Sequence, residues 1–151
     1  MQTFSRSLPM LLYRTLDAVM PRFRSIFGKF GLTEQQWRVL RVLWELDGLS
    51  LLDLAEITRI PAPSLVGVVD RLSKSGLVER RRSEIDRRVV FVHATAAGKR
   101  LEEQVRPEIA RAYSELQSLV EASDWDRLIS GMEGVIAACE QHEDQIEAVN
   151  Q

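Results

Sequence analysis

A single cysteine, Cys139, leaves this chain no intramolecular disulfide, which excludes the small secreted scaffolds that depend on bridges. The two histidines, His93 and His142, are far apart in sequence and have no His-x-x-His or Cys-x-x-Cys partner, so no metal site is expected. No apolar run approaches the roughly 20 residues that span a bilayer. The LPMLLY stretch after Arg6 is cut off by Arg14 before it could serve as the apolar core of a signal peptide. A membrane partner is therefore not expected, and the cytoplasm is the expected compartment. Also missing are a phosphate-binding glycine loop, a nucleophile elbow and paired catalytic carboxylates, so neither an enzyme nor a cofactor is expected. With only five prolines, 45% hydrophobic and 28% charged residues, the 151-residue chain suits a single globular domain spanning 1–151.

The chain does have a charge gradient. Residues 1–49 carry seven Lys/Arg against four Asp/Glu, residues 50–100 ten against six, and residues 101–151 three against twelve, which together give the formal net charge of −2. A basic first two-thirds beside an acidic end predicts one surface facing an anion and another facing solvent or a partner.

Apolar residues from Leu8 to Phe30 recur three to four apart and predict an amphipathic helix to about Lys29, bent at Pro21. Thr33 to Gln36 matches a capping box and opens a second helix carrying Trp37, Leu40, Val42 or Leu43, Trp44 and Leu46, which Asp47-Gly48 ends. Ser50 caps a short third helix to about Thr58, with Leu51, Leu54, Ala55 and Ile57 inward. The Ile60-Pro61-Ala62-Pro63 break precedes a fourth helix, Pro63 to Ser75, whose inward stripe is Leu65, Val68, Val69 and Leu72. Strands are predicted over Leu77–Arg82 and Val89–His93. A long helix, kinked at Pro107, follows Thr95, and a last helix is capped by Ser123 to Asp126. These terminal helices exceed what one core of this size requires, so pairing with a second copy is expected.

The third and fourth helices form a helix-turn-helix. A helix of this kind enters the roughly 12 Å wide major groove with its N-terminal residues nearest the bases. The groove-facing candidates are Pro63, Ser64, Val66, Gly67, Asp70, Arg71 and Lys74. Asp70 is awkward against phosphate and is expected to orient Arg71 or Lys74. Between the strands, the turn SEIDRR helps bring Arg80, Arg81, Arg82, Arg87 and Arg88 within nine positions. Arg82, Arg87 and Arg88 are candidates to follow the DNA backbone into the minor groove. Asp86 is expected to shape the turn by accepting from Arg88 or turn amides. Taken singly, the helix could be an ordinary amphipathic surface helix and the turn a solvated charge run; together they are far more specific.

Asp86-Arg87-Arg88 followed by a hydrophobic strand and Thr95 resembles the wing signature of the MarR (multiple antibiotic resistance regulator) family, with Ala94 in place of the usual Leu. Leu72-Ser73-Lys74-Ser75-Gly76-Leu77-Val78 is similar to that family's passage from recognition helix to wing. The resemblance implies a mainly α fold with a small β-hairpin wing. This would be a winged helix-turn-helix DNA-binding lobe at 33–95, dimeric through N- and C-terminal helices at 8–30 and 99–149. It further implies a homodimer on pseudo-palindromic double-stranded DNA, often releasing it when a small ligand binds. Leu32 to Arg38, LTEQQWR, resembles the branch that represses homoprotocatechuate (4-hydroxyphenylacetate) degradation genes.

A small aromatic acid is thus an expected effector, with Arg14, Arg24, Arg38 and Arg41 as candidate carboxylate forks and Trp37 as an aromatic wall. For any one of these arginines, pairing with Asp17, Glu34 or Glu45, or with DNA phosphate, is the competing expectation. Two other readings stand beside the repressor. One is oxidant sensing through Cys139, which sits late in an acidic apolar helix with no nearby cation to hold a thiolate. The other is a helical interaction module that never touches DNA.

Overall fold

Side-chain caps at Thr33, Ser50 and Thr95 open three of the helices in the computed structural model of this chain, which describes residues 3–149. After a 3-10 turn at Phe4–Arg6, α1 runs Leu8–Lys29 and continues through Pro21. The Thr33 hydroxyl accepts from Gln36 N at 3.2 Å while the Gln36 amide oxygen accepts from Thr33 N at 2.9 Å, so the capping box forms and starts α2, Glu34–Glu45. Ser50 caps α3, Leu51–Thr58, as its spacing predicted. α4 spans Ala62–Lys74, one residue earlier than predicted, because Pro61 supplies the carbonyl that Ser64 N and Leu65 N need. Two residues past its end, Gly76 has a positive φ of 71° that lets Leu77 N turn back onto Leu72 O.

A three-stranded antiparallel sheet follows, in the order β1–β3–β2, from β1 (Leu49–Ser50), β2 (Val78–Arg82) and β3 (Val90–Ala94). The two-residue β1 had no signal of its own; it pairs Leu49 with Val92 and Ser50 with Phe91 only because the end of α2 brings it to β3. Each predicted strand starts one residue later, since Leu77 and Val89 serve the turns, and the second also runs one residue further, because Ala94 pairs with Val78. α5 spans Ala96–Gln117, through Pro107, and α6 spans Ala122–Val149. Ser123 and Asp124 therefore lie inside the first turn of α6; the first free amides turn instead to Glu121 O.

The chain forms two compact units, one through Ala110 and one from Arg111. In the first, Val39, Leu40, Leu43, Leu54, Leu65, Val68, Val69, Leu72, Val78, Val92 and Val105 are fully buried. This bears out the whole inward stripe of α4. Two predicted inward residues, Leu46 and Ile57, are exposed, and Val39 and Thr58 are buried in their place. Helical periodicity locates a stripe but leaves its edges to whichever neighbour packs there. Leu8, Leu11, Leu12 and Leu16 of α1 are exposed in this unit. In the second unit, Leu119, Val120, Leu128, Ile129, Val135, Ile136 and Ile146 are exposed as well.

The first turn of α5 packs on the root of the wing without slack. A Cβ on Gly98 would lie 2.3 Å from the Leu77 carbonyl oxygen. The Thr95 hydroxyl donates to Gly76 O at 2.6 Å and accepts from Gly98 N at 3.1 Å, and the Trp44 indole donates to Gly98 O at 3.1 Å. Since the obstacle is backbone, Gly98→Ala is expected to cost about 2 kcal/mol or more. Urea unfolding measures this, and a variant as stable as the parent would disprove the tight contact.

Candidate nucleic-acid interface and effector face

The buried stripe of α4 leaves Pro63, Ser64, Val66, Arg71 and Lys74 exposed on its other side, with Gly67 and Asp70 half-buried along the margin. At about 1.5 Å per residue, this 13-residue helix is close to 20 Å long. Its outer face holds small or apolar side chains at the N-terminal end and cations at the C-terminal end. Asp70 does not orient Arg71 or Lys74 as expected. Its Oδ1 lies 2.7 Å from Nη1 of Arg80 on β2, and Arg80 Nη2 donates to Val66 O at 3.2 Å. Arg80 was not among the sequence-derived site residues. The available signal was the two-residue alternation that puts Arg80 on the same face of β2 as buried Val78.

The wing turn is held by side-chain acceptors. Ser83 Oγ accepts from the amides of Ile85 and Asp86, each at 3.2 Å. Asp86 Oδ1 accepts from Arg88 N at 3.0 Å and Arg88 Nε at 3.2 Å, and its Oδ2 accepts from Arg88 Nη2 at 3.1 Å. Asp86 thus shapes the turn as its position predicted. The Arg88 side chain, then the Arg88 backbone amide, hold its carboxyl below the usual range against a small opposing desolvation. The cations divide accordingly. Arg80, Arg81 and Arg88 are paired with Asp70, Glu79 and Asp86. Among the described residues, Arg71, Lys74, Arg82 and Arg87 are exposed with no carboxylate partner.

At the start of α2, Glu34 gathers two of the candidate effector arginines. Arg24 Nε lies 3.0 Å from its Oε2 and Arg38 Nη2 lies 3.2 Å from its Oε1. Arg38 also donates through Nη1 to Thr58 O at 3.1 Å, the last residue of α3. Arg41 pairs with Glu45. Trp37 stacks on Phe27 at 4.9 Å and meets Trp44 edge-on at 5.4 Å. Arg14 is exposed ten positions before Arg24 on α1, about 15 Å along the axis, so the fold does not gather it into this cluster. Three of the four arginines are therefore held by carboxylates, the competing expectation.

One cluster had no sequence signal. Asp47, just past α2, accepts from Ala94 N at 2.8 Å, with Lys99 Nζ at 3.6 Å and His93 Nδ1 at 3.9 Å from its other oxygen. Cys139 is exposed on α6. Among the described residues no group of His, Cys, Asp and Glu could hold a metal ion, and no helix is long and apolar enough to cross a membrane.

Residues 32–90 match the model of the MarR family. The chain is similar to the homoprotocatechuate degradative operon repressor of Escherichia coli, 32% identical over 96% of this chain and 98% of the repressor. It also resembles the crystal structure of NadR in complex with 4-hydroxyphenylacetate, with a TM-score of 0.76 and 32% identity over 89% of this chain and 96% of that one. A third likeness is to the transcriptional repressor CouR bound to a 23-mer DNA duplex, with a TM-score of 0.81 and 27% identity over 87% and 94% of the two chains.

Asp47 and Asp86 both have carboxyls held below the usual range. Burial raises the Asp47 carboxyl, but the Ala94 amide, Lys99, His93 and the Gly48 amide together outweigh it and bring it below 3.8. A carboxyl with a depressed folded value contributes stability that is complete above the unfolded value and lost as pH falls through the folded one. Asp47→Asn is therefore expected to be less stable than the parent at neutral pH, with the gap closing below pH 3.8. Carboxyl-carbon NMR titration is the direct check: a folded value at or above 3.8 for either aspartate would contradict it.

Proposed function

The chain belongs to the MarR family of transcriptional regulators, and on that premise we propose that it is a sequence-specific DNA-binding repressor released from its operator by a small aromatic carboxylate. The observation that carries the reading is the unpaired cation set on one helix and its wing, Arg71, Lys74, Arg82 and Arg87. Ser64, Val66 and Gly67 read base edges in the major groove, where small side chains permit close approach. Arg71 and Lys74 neutralise flanking phosphates, and Arg82 and Arg87 track the minor groove from the wing. The duplex bound by CouR supports this docking.

The protein works in the cytoplasm as a homodimer on pseudo-palindromic double-stranded DNA, with residues 8–30 and 99–149 pairing and 33–95 reading. The support is exposed apolar surface on α1 and α6, which water would otherwise face at about 25 cal/mol per Å². Two-fold pairing sets the recognition helices about 34 to 36 Å apart, one turn of DNA.

For the effector, 4-hydroxyphenylacetate in NadR and the operon named for the E. coli relative indicate a phenolic acid. Its carboxylate would compete with Glu34 for Arg24 and Arg38, and its ring would meet Trp37. Because Arg38 also holds the Thr58 carbonyl, this exchange loosens the turn into α4. A coupling of about 1–3 kcal/mol is sufficient for a switch.

Two outcomes follow for an operator selected from a random duplex pool. Arg71→Ala or Arg87→Ala should weaken binding more than tenfold and lower the slope of log K against log salt by about 0.9, with the dimer intact. Fluorescence anisotropy across a salt series reads both, and unchanged affinity would remove these residues from the interface. Trp37→Ala should leave operator affinity within about threefold while blunting release by 4-hydroxyphenylacetate, and Arg38→Ala, which also loses the Thr58 bond, should weaken operator binding and blunt release as well. If both variants release DNA as the parent does, the effector face lies elsewhere.

A further inference from the structure

Arg80 lies in the middle of β2, on the face that carries Val78. Val78, two positions earlier on the same face, is fully buried, and Arg80 stands opposite buried Val92 of β3. Where the apolar core gives out, the guanidinium takes over as the contact between wing and recognition helix. It grips α4 at two points one turn apart: the Asp70 carboxylate at 2.7 Å and the Val66 carbonyl at 3.2 Å. A planar fork holding a side chain and a main-chain oxygen of one helix restricts both its slide and its rotation. The residues flanking these anchors, Gly67 and Arg71, belong to the face assigned to the DNA groove.

We infer that Arg80 is a positioning residue for operator selectivity, fixing the rotation of α4 over the base edges and cancelling the charge that Asp70 would otherwise turn toward phosphate. This rests on the reading of α4 and the wing as the DNA-binding surface. The pair explains how an aspartate is tolerated there: with side-chain exposures of 31% for Arg80 and 47% for Asp70, it sits at the margin of the groove face, neutralised in place. Arg80 therefore acts through Asp70 and Val66 and adds no phosphate contact of its own. That separates it from Arg71, Lys74, Arg82 and Arg87.

The test compares the full-length parent with Arg80→Ala, Arg80→Lys and Asp70→Asn, each checked for the parent's helical circular dichroism. Binding is measured by anisotropy on the selected operator and on a mixed-sequence duplex across a salt series. Arg80→Ala is expected to lower the ratio of specific to nonspecific affinity at least tenfold while leaving the salt slope unchanged. Arg80→Lys, which keeps the charge but loses the fork, recovers nonspecific affinity and only part of the ratio. Adding Asp70→Asn to Arg80→Ala restores nonspecific affinity by removing the stranded carboxylate. A salt slope lower by about 0.9 with the ratio unchanged would make Arg80 an ordinary phosphate contact and overturn the inference. So would parent-like behaviour of both Arg80 variants. Absence of parental binding to any duplex in low salt would overturn the DNA-binding reading together with it.

Discussion

Close contact between the first turn of α5 and the backbone at Leu77 is the constraint on which the DNA-facing part depends. It is possible only because position 98 has no side chain. The chain leaves α4 at Gly76, forms the wing, and returns at Thr95 to the same place, where Thr95 closes the loop onto Gly76. Trp44 and Asp47 tie that junction to α2 from the other side through Gly98 O and Ala94 N. The recognition helix and the wing thus spring from one root. A displacement of α2 or α5 at that root reaches both DNA-facing elements together.

On that base, charge is sorted by partner. Arginines carrying an acid partner shape the protein: Arg88 locks the wing turn through Asp86, and Arg80 bridges wing and helix through Asp70. Arg71, Arg82 and Arg87, without one, are exposed on the surface proposed to meet DNA. Net charge conceals this, because the acidic residues 101–151 offset a locally basic surface.

The proposed effector face uses the same chemistry in the opposite sense. Glu34 occupies the guanidinium groups an incoming carboxylate would need, and exposed pairs of this kind are worth only about 0–1 kcal/mol each. Such pairs are strong enough to order Arg38 against the α3 carboxyl end and weak enough to be exchanged. Phe27 and Trp37 stack, and Trp44 meets Trp37 edge-on, so the indole proposed as the ring's wall is held on two sides.

By itself the sequence determined what is local. The capping box at Thr33, the Ser50 cap, the inward stripe of Leu65, Val68, Val69 and Leu72, and the Asp86 acceptor within the wing turn all depend on residues a few positions apart. Those interactions carry their own spacing. Leu46, Ile57 and Ser123 were misplaced because the edge of a stripe, or the first residue of a helix, depends on what packs beside it. Only the tertiary structure decided the long-range partners. Asp70 meets Arg80 instead of Arg71 or Lys74, β1 pairs with β3, Asp47 caps the wing strand, and Arg38 reaches Thr58. The physical reason is the same in each case. A charged side chain or a strand edge takes whichever complementary group the packed core brings within about 3 Å, and that distance in space is not written in distance along the chain.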